Sequence, residues 1–107
     1  LLYVLGRYAE GQEAQPTDLL PFIDGSDRPD GPWMTCAFGP YEAACSLASA
    51  AMGGHVRVGF ENNLQLPDGR MADDNASLVA NAASGAKVLG RPLADADTLR
   101  SWLAELD

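Results

Sequence analysis

Three short strand-like segments alternate with helix-forming segments along this chain, and that order constrains the fold more than any other sequence feature. Each segment is rich in apolar residues, is too short for a typical helix and is bordered by glycine, as expected of a buried strand. Strands that alternate with helices pair in parallel and carry the helices on the sheet. We predict strands near residues 1–5, 33–38 and 55–60, and helices near 17–24, 41–52, 75–89 and 96–106.

Capping residues and apolar spacing set the expected helix boundaries. Thr17 is the predicted N-cap of the first helix, Gly25 its end, and Asp95 the N-cap of the last helix. Residues 26–32 are dense in Asp, Gly and Pro, which predicts a surface turn. The apolar face of the second helix is expected at Ala44, Leu47, Ala48, Ala51 and Met52.

A sheet of three parallel strands cannot cover its own faces and edges. We therefore expect residues 1–107 to be the C-terminal part, about three βα units, of a single TIM (β/α)8 barrel of the α/β class. Residues before Leu1 would supply the rest of the barrel. The alternative is that the chain covers its sheet by associating with copies of itself.

Charge and cysteine content exclude some classes of protein. The formal net charge is −8 and the seven Lys and Arg residues are scattered, which disfavours a nucleic-acid-binding protein. No segment approaches the roughly 18 apolar residues of a membrane span. We expect Cys36 and Cys45 to be reduced core thiols of a cytoplasmic protein rather than a disulfide.

The segment from His55 to Glu61 alternates between apolar and polar positions. In a parallel barrel the polar positions would point into the lumen, and Glu61 would lie at the C-terminal rim, where barrel enzymes hold their sites. Arg57 and Glu61 have three possible interpretations: an internal structural ion pair, an exposed polar strand face, or a functional site. Gly59 between them leaves room for a ligand beside the backbone.

Residues 53–64, with the sequence GGHVRVGFENNL, closely resemble the last-strand motif of the beta-keto acid cleavage enzymes. That motif usually reads Gly-Gly-His-Val-Arg-Val-Gly-(Leu or Phe)-Glu-Asp-Asn. Residues 1–6 and 33–39 resemble the sixth and seventh strands of the family, and residues 67–79 its post-strand loop and final barrel helix. The resemblance covers nearly the whole chain.

The resemblance implies a zinc-dependent TIM barrel, usually oligomeric, that exchanges acyl groups between a beta-keto acid and acetyl-CoA. In the family, zinc is held by a His-x-His pair, expected upstream of this chain, and by the Glu that corresponds to Glu61. Arg57 corresponds to the catalytic Arg, and Asn62 to the acidic residue that works with it. The resemblance thus implies Arg57 and Asn62 as catalytic residues, Arg57, Gly59 and Asn62 as substrate-binding residues, and Glu61 as the metal ligand. For His55 we favour a structural role.

Two departures from the family pattern affect the expected chemistry. Asn62 replaces the usual Asp, and an amide cannot act as a general base, although it can bind a substrate oxygen. Pro40 stands where the family often has Arg. Without the His-x-His pair, the chain by itself is expected to be inactive. Two other functions stay open: a non-catalytic partial-barrel assembly module, and a metal-dependent barrel aldolase or lyase of another substrate class.

Overall fold

The computed structural model describes residues 1–24 and 30–106. Within them, strands β1 (Leu2–Leu5), β2 (Met34–Ala37) and β3 (His55–Val56) form one sheet in the order β1-β2-β3. Both pairings are parallel, which confirms the predicted α/β arrangement. The third strand is shorter than predicted, because the chain leaves the sheet after the backbone N–H of Arg57 donates to the carbonyl of Thr35 at 2.8 Å.

The helices lie close to their predicted positions. A 3-10 turn (Pro16–Leu19) leads into α1 (Leu20–Ile23), and the other helices are α2 (Glu42–Ala51), α3 (Asn75–Val88) and α4 (Ala96–Glu105).

The capping predictions have mixed outcomes. Thr17 is not the first N-cap, because the helical segment begins at Pro16 and the backbone N–H of Gln15 donates to the Asp18 carboxylate at 2.8 Å. Asp95 is confirmed as an N-cap, since its carboxylate accepts from the Thr98 N–H at 2.8 Å. Gly25, and residues 26–29 of the predicted turn, lie outside the described residues.

The hydrophobic core lies between one face of the sheet and the helices. Its buried members are Leu5, Ala14, Leu19, Trp33, Ala37 and Cys45. Alternate side chains of a strand point to opposite faces, so Leu2 and Val4 lie on the other face of β1. They are 36% and 52% exposed. Within the described chain, this second face of β1 is therefore open.

Helix α2 turns a polar side toward the sheet, and the predicted apolar face is wrong. Its buried residues are Glu42, Cys45, Ser46 and Ser49, whereas Leu47 and Met52 are exposed. The hydroxyl of Ser49 lies 2.6 Å from that of Thr35 on β2 and donates to the Cys45 carbonyl at 2.9 Å. Small side chains allow a helix to approach a strand, and their hydrogen bonds offset the cost of burying polar atoms.

The cysteines behave as predicted. Cys36 and Cys45 are both free and buried. Burial, with a smaller contribution from the negative charge of Asp18, raises the pKa of the Cys45 thiol to about 11. Across residues 1–24 and 30–106, no helix combines the length and the apolar character needed to cross a membrane.

Candidate functional site

A turn at the C-terminal end of the sheet contains all four of the predicted site residues. We call residues 57–63 the site turn. The backbone N–H groups of Asn62 and Asn63 donate to the carbonyl of Gly59 at 3.0 and 3.1 Å. The predicted strand through residue 60 is therefore wrong, since only His55 and Val56 are strand. Alternation along an extended strand does not set the directions of the side chains in this turn.

Hydrogen bonds from three neighbouring segments hold the site turn. The Tyr8 hydroxyl, after β1, donates to the Phe60 carbonyl at 2.8 Å. The Gly39 N–H, after β2, donates to the Asn62 carbonyl at 3.0 Å. The Phe60 N–H donates to the side-chain oxygen of Asn75, at the start of α3, at 2.8 Å. The site turn is thus held by the segments that follow β1 and β2 and by the start of α3, at the C-terminal end of the sheet.

Arg57 and Glu61 form an ion pair in the site turn. Nη2 of Arg57 lies 3.2 Å from Oε1 of Glu61, and the two side chains are 49% and 48% exposed. A half-exposed pair of this kind contributes only about 0–1 kcal/mol to stability. The enclosed lumen that we expected around these side chains is not formed by residues 1–24 and 30–106, which contain three strands. Both charged groups can be reached by a ligand.

Gly59 allows the Glu61 carboxylate to lie against the backbone. A Cβ atom at residue 59 would lie 2.9 Å from Cδ of Glu61, closer than real Cβ contacts. The Glu61 carboxylate occupies the space beside Gly59 in which we predicted room for a ligand.

Asn62 is buried, with 2% of its surface exposed. Its side-chain oxygen has no hydrogen-bond partner among the described residues. Burial raises the pKa of the Cys36 thiol on the neighbouring strand; the positive charge of Arg57 opposes the rise, and the negative charges of Glu61 and Glu42 add to it. An unpaired buried acceptor costs about 1–3 kcal/mol. The Asn62 oxygen is therefore ready to accept a hydrogen bond from a group outside the described residues.

Glu42, the first residue of α2, is a site residue that sequence reasoning missed. It is 2% exposed. Its Oε2 accepts from the Gly59 N–H at 3.4 Å, and its Oε1 accepts from Nδ2 of Asn63 at 3.3 Å. Burial raises the pKa of the Glu42 carboxyl, the two hydrogen bonds oppose the rise, and the negative charge of Glu61 adds to it. The available signal was a carboxylate two residues after Pro40, at the end of a predicted parallel strand.

His55 lies at the first residue of β3, at the opposite end of this segment from Glu61. Its ring centroid is 5.3 Å from that of Trp102 on α4. Partial burial, and then the positive charge of Arg91, lower the pKa of the imidazole. This packing against α4 is the environment that a structural histidine would have.

The site turn can supply one ligand to a metal ion, but not a complete set of ligands. In the part of the chain that the structure describes, no three His, Cys, Asp or Glu side chains lie close enough together to hold a metal ion. Glu61 offers one accessible carboxylate, which is a common zinc ligand. Any zinc site that uses Glu61 needs further ligands from outside the described residues.

A parallel α/β unit with charged groups gathered at the C-terminal edge of its sheet is the arrangement of an α/β enzyme domain. The family model described as beta-keto acid cleavage enzyme matches residues 1–104, and the chain belongs to this family.

Proteins similar to this chain include two named 3-keto-5-aminohexanoate cleavage enzyme. The one from Fusobacterium nucleatum subsp. nucleatum is 35% identical over 79% of this chain and 31% of its own length. The one from Acetoanaerobium sticklandii is 36% identical over 87% of this chain and 34% of its own length. A 3-oxoadipate:acetyl-CoA acetyltransferase from Cupriavidus necator is 33% identical over 70% of this chain and 26% of its length. The chain thus spans between about a quarter and a third of the length of these relatives.

Proposed function

We propose that this chain is the C-terminal part of a zinc-dependent beta-keto acid cleavage enzyme that exchanges acyl groups between a beta-keto acid and acetyl-CoA. The observation that carries the proposal is the site turn, which brings Arg57, Glu61 and Asn62 together at the C-terminal edge of a parallel sheet. Family membership and the name of the acetyl-CoA-using relative support it.

The rest of the enzyme would be the earlier strands and helices of a TIM barrel. The open face of β1, with Leu2 and Val4 exposed, supports this arrangement, because a barrel interior would cover those side chains. The free thiols of Cys36 and Cys45 support a cytoplasmic location. We also propose that the complete enzyme is a homo-oligomer, as is usual in the family.

In the complete enzyme, Glu61 would hold zinc together with two histidines of an upstream His-x-His strand. Bound zinc would supply a Lewis acid that polarises the ketone of the substrate. Because the described residues contain no cluster of three possible metal ligands, the chain would be inactive without those histidines.

Arg57 would bind the carboxylate of the beta-keto acid. A guanidinium matches a carboxylate with two parallel N–H···O bonds, which fixes the orientation of the bound acid. Its half-exposed ion pair with Glu61 keeps the guanidinium at the edge of the sheet, where an incoming carboxylate can contact it.

Asn62 would orient the substrate rather than take up a proton. Its buried side-chain oxygen lacks a partner among the described residues and can accept a hydrogen bond from a hydroxyl or N–H group of the ligand. An amide has no accessible pKa for general-base catalysis, so proton transfer would fall to another group or to water.

Acyl exchange in the protein that carries this chain tests the proposal. We expect a product that depends on both acetyl-CoA and a beta-keto acid. We also expect Asn62→Asp to raise kcat by tenfold or more, because general-base catalysis typically contributes about 10²–10⁴-fold. The matched control is Asn81→Asp, an amide-to-acid change on α3.

Cleavage of a keto acid that proceeds equally well without acetyl-CoA would favour the barrel aldolase or lyase instead. If Asn62→Asp leaves kcat unchanged in an enzyme that exchanges acyl groups, the expectation that a general base at residue 62 speeds the reaction is wrong.

A further inference from the structure

The Glu42 carboxylate contacts the site turn at two residues, Gly59 and Asn63. It accepts from the Gly59 N–H at 3.4 Å. It also accepts from Nδ2 of Asn63 at 3.3 Å. Glu61 and Asn62 lie between these two anchors. Because the Gly59 carbonyl in turn accepts from the N–H groups of Asn62 and Asn63, holding Gly59 also holds the turn that starts there.

The second anchor is itself rigid. The Asn63 side chain donates to the Gln65 carbonyl at 2.6 Å and accepts from the Gln65 N–H at 3.0 Å. These bonds fix the orientation of the amide, so its Nδ2 must face an acceptor at Glu42. A carboxylate offers two acceptor oxygens, one for each anchor, whereas a glutamine amide offers one acceptor and one donor.

Two carboxylates therefore lie on either side of Gly59. Glu42, buried on the α2 side, holds its N–H, while the half-exposed Glu61 lies against its Cα. Burying a charged group without need is costly. A purely structural contact in this place would be served by neutral polar groups, as the Ser49 and Thr35 hydroxyls show about two helical turns further along the same buried face of α2.

We propose that Glu42 is a positioning residue, whose carboxylate sets the conformation of residues 59–63 and thereby the places of Glu61 and Asn62. This inference rests on the proposed function for its catalytic consequence. Its structural part, that Glu42 holds Gly59, can be measured independently of any activity.

The test compares Glu42→Gln with the control Ser49→Ala in the protein that carries this chain. Ser49 is a fully buried residue of the same helix whose hydrogen bonds go to Thr35 and Cys45 instead of the site turn. We expect Glu42→Gln to speed hydrogen exchange of the Gly59 amide by tenfold or more and to lower kcat by tenfold or more, since small displacements of reacting groups cost up to about 10²-fold. Ser49→Ala is expected to lower the thermal midpoint at least as much while leaving kcat and Gly59 exchange unchanged.

A second variant covers the case in which Glu42→Gln does not fold. Glu42→Asp keeps the charge but shortens the reach, and we expect it to change Gly59 exchange and kcat in the same direction.

The outcomes separate this inference from the proposed function. Unchanged Gly59 exchange in the folded variant, or faster exchange with kcat within twofold of wild type, overturns the positioning role. If the wild-type protein exchanges no acyl groups, the proposed function fails. In that case faster Gly59 exchange supports the hold of Glu42 on the turn, and unchanged exchange overturns it.

Discussion

At the scale of single residues, the conformation of the site turn depends on residue 59 being a glycine, which has no side chain. Gly59 has a carboxylate on each side, and the Glu61 carboxylate occupies the volume where a Cβ atom would lie. The positions of Arg57 and Glu61 are therefore linked to the small size of residue 59. The overlap involves the end of a flexible side chain rather than backbone, so a larger residue would displace Glu61 rather than unfold the chain.

This leads to a prediction for Gly59→Ala. We expect the added methyl group to push the Glu61 carboxylate aside, to break its ion pair with Arg57, and to weaken zinc binding by the complete protein by tenfold or more. The thermal midpoint should change little. Zinc titration and thermal denaturation measure the two effects.

The matched control for this change is Gly31→Ala, because no atom of the described residues lies within 4 Å of the place that a Cβ atom of residue 31 would take. If the two variants bind zinc equally tightly, zinc binding does not depend on the small size of residue 59.

At the scale of elements, α2 shows why a helix face cannot always be predicted from hydrophobic spacing. The apolar positions that we expected to be buried include Leu47 and Met52, which are exposed, while two hydroxyl groups are buried in mutual contact. A pattern of apolar residues carries no information on which polar residues will find partners on β2. For the same reason the sequence did not predict the role of Glu42, because its hydrogen-bond partners lie 17 and 21 residues further along the chain.

The Ser49–Thr35 contact predicts a non-additive pair of substitutions. Ser49→Ala removes the partner of a buried Thr35 hydroxyl, and we expect a loss of about 1–3 kcal/mol in the free energy of unfolding. Thr35→Val alone should cost a similar amount. The double variant should be closer to wild type than the two single losses added together, since an apolar pair leaves no polar atom unpaired.

Urea denaturation of the two single variants and the double variant measures this coupling. Additive losses would mean that the two hydroxyls do not depend on each other.

The order and pairing of the elements were predicted from glycines, capping residues and short strand-like runs. Those signals are local, and the parallel pairing followed from the alternation of strands with helices. The length of β3 was not predicted correctly, because alternating apolar and polar residues fit both an extended strand and a turn anchored by distant groups. The site turn after Arg57 is held by hydrogen bonds to Tyr8, Glu42 and Asn75. These residues are distant in the sequence, so no local pattern predicts the bonds.

At the scale of the whole molecule, the open face of β1 and the two outer strands of the sheet are the main unsatisfied surfaces of the described chain. In the proposed barrel, further strands would pair with these edges and cover Leu2 and Val4. We therefore expect residues 1–107 on their own to associate as concentration rises, which light scattering measures. A monodisperse monomer would contradict the partial-barrel interpretation, whereas one defined oligomer would favour the assembly module.

The zinc content of the complete protein and of its Glu61→Gln variant tests the central claim most directly. We predict one zinc ion per chain in the wild type and a loss of tenfold or more in affinity for Glu61→Gln, because an amide is a weaker ligand than a carboxylate. The control is Asp97→Asn, which removes the carboxylate of another exposed ion pair, with Arg100 at 2.8 Å, and should keep its zinc. A wild type without zinc, or a Glu61→Gln variant that binds zinc as tightly as the wild type, would contradict the account.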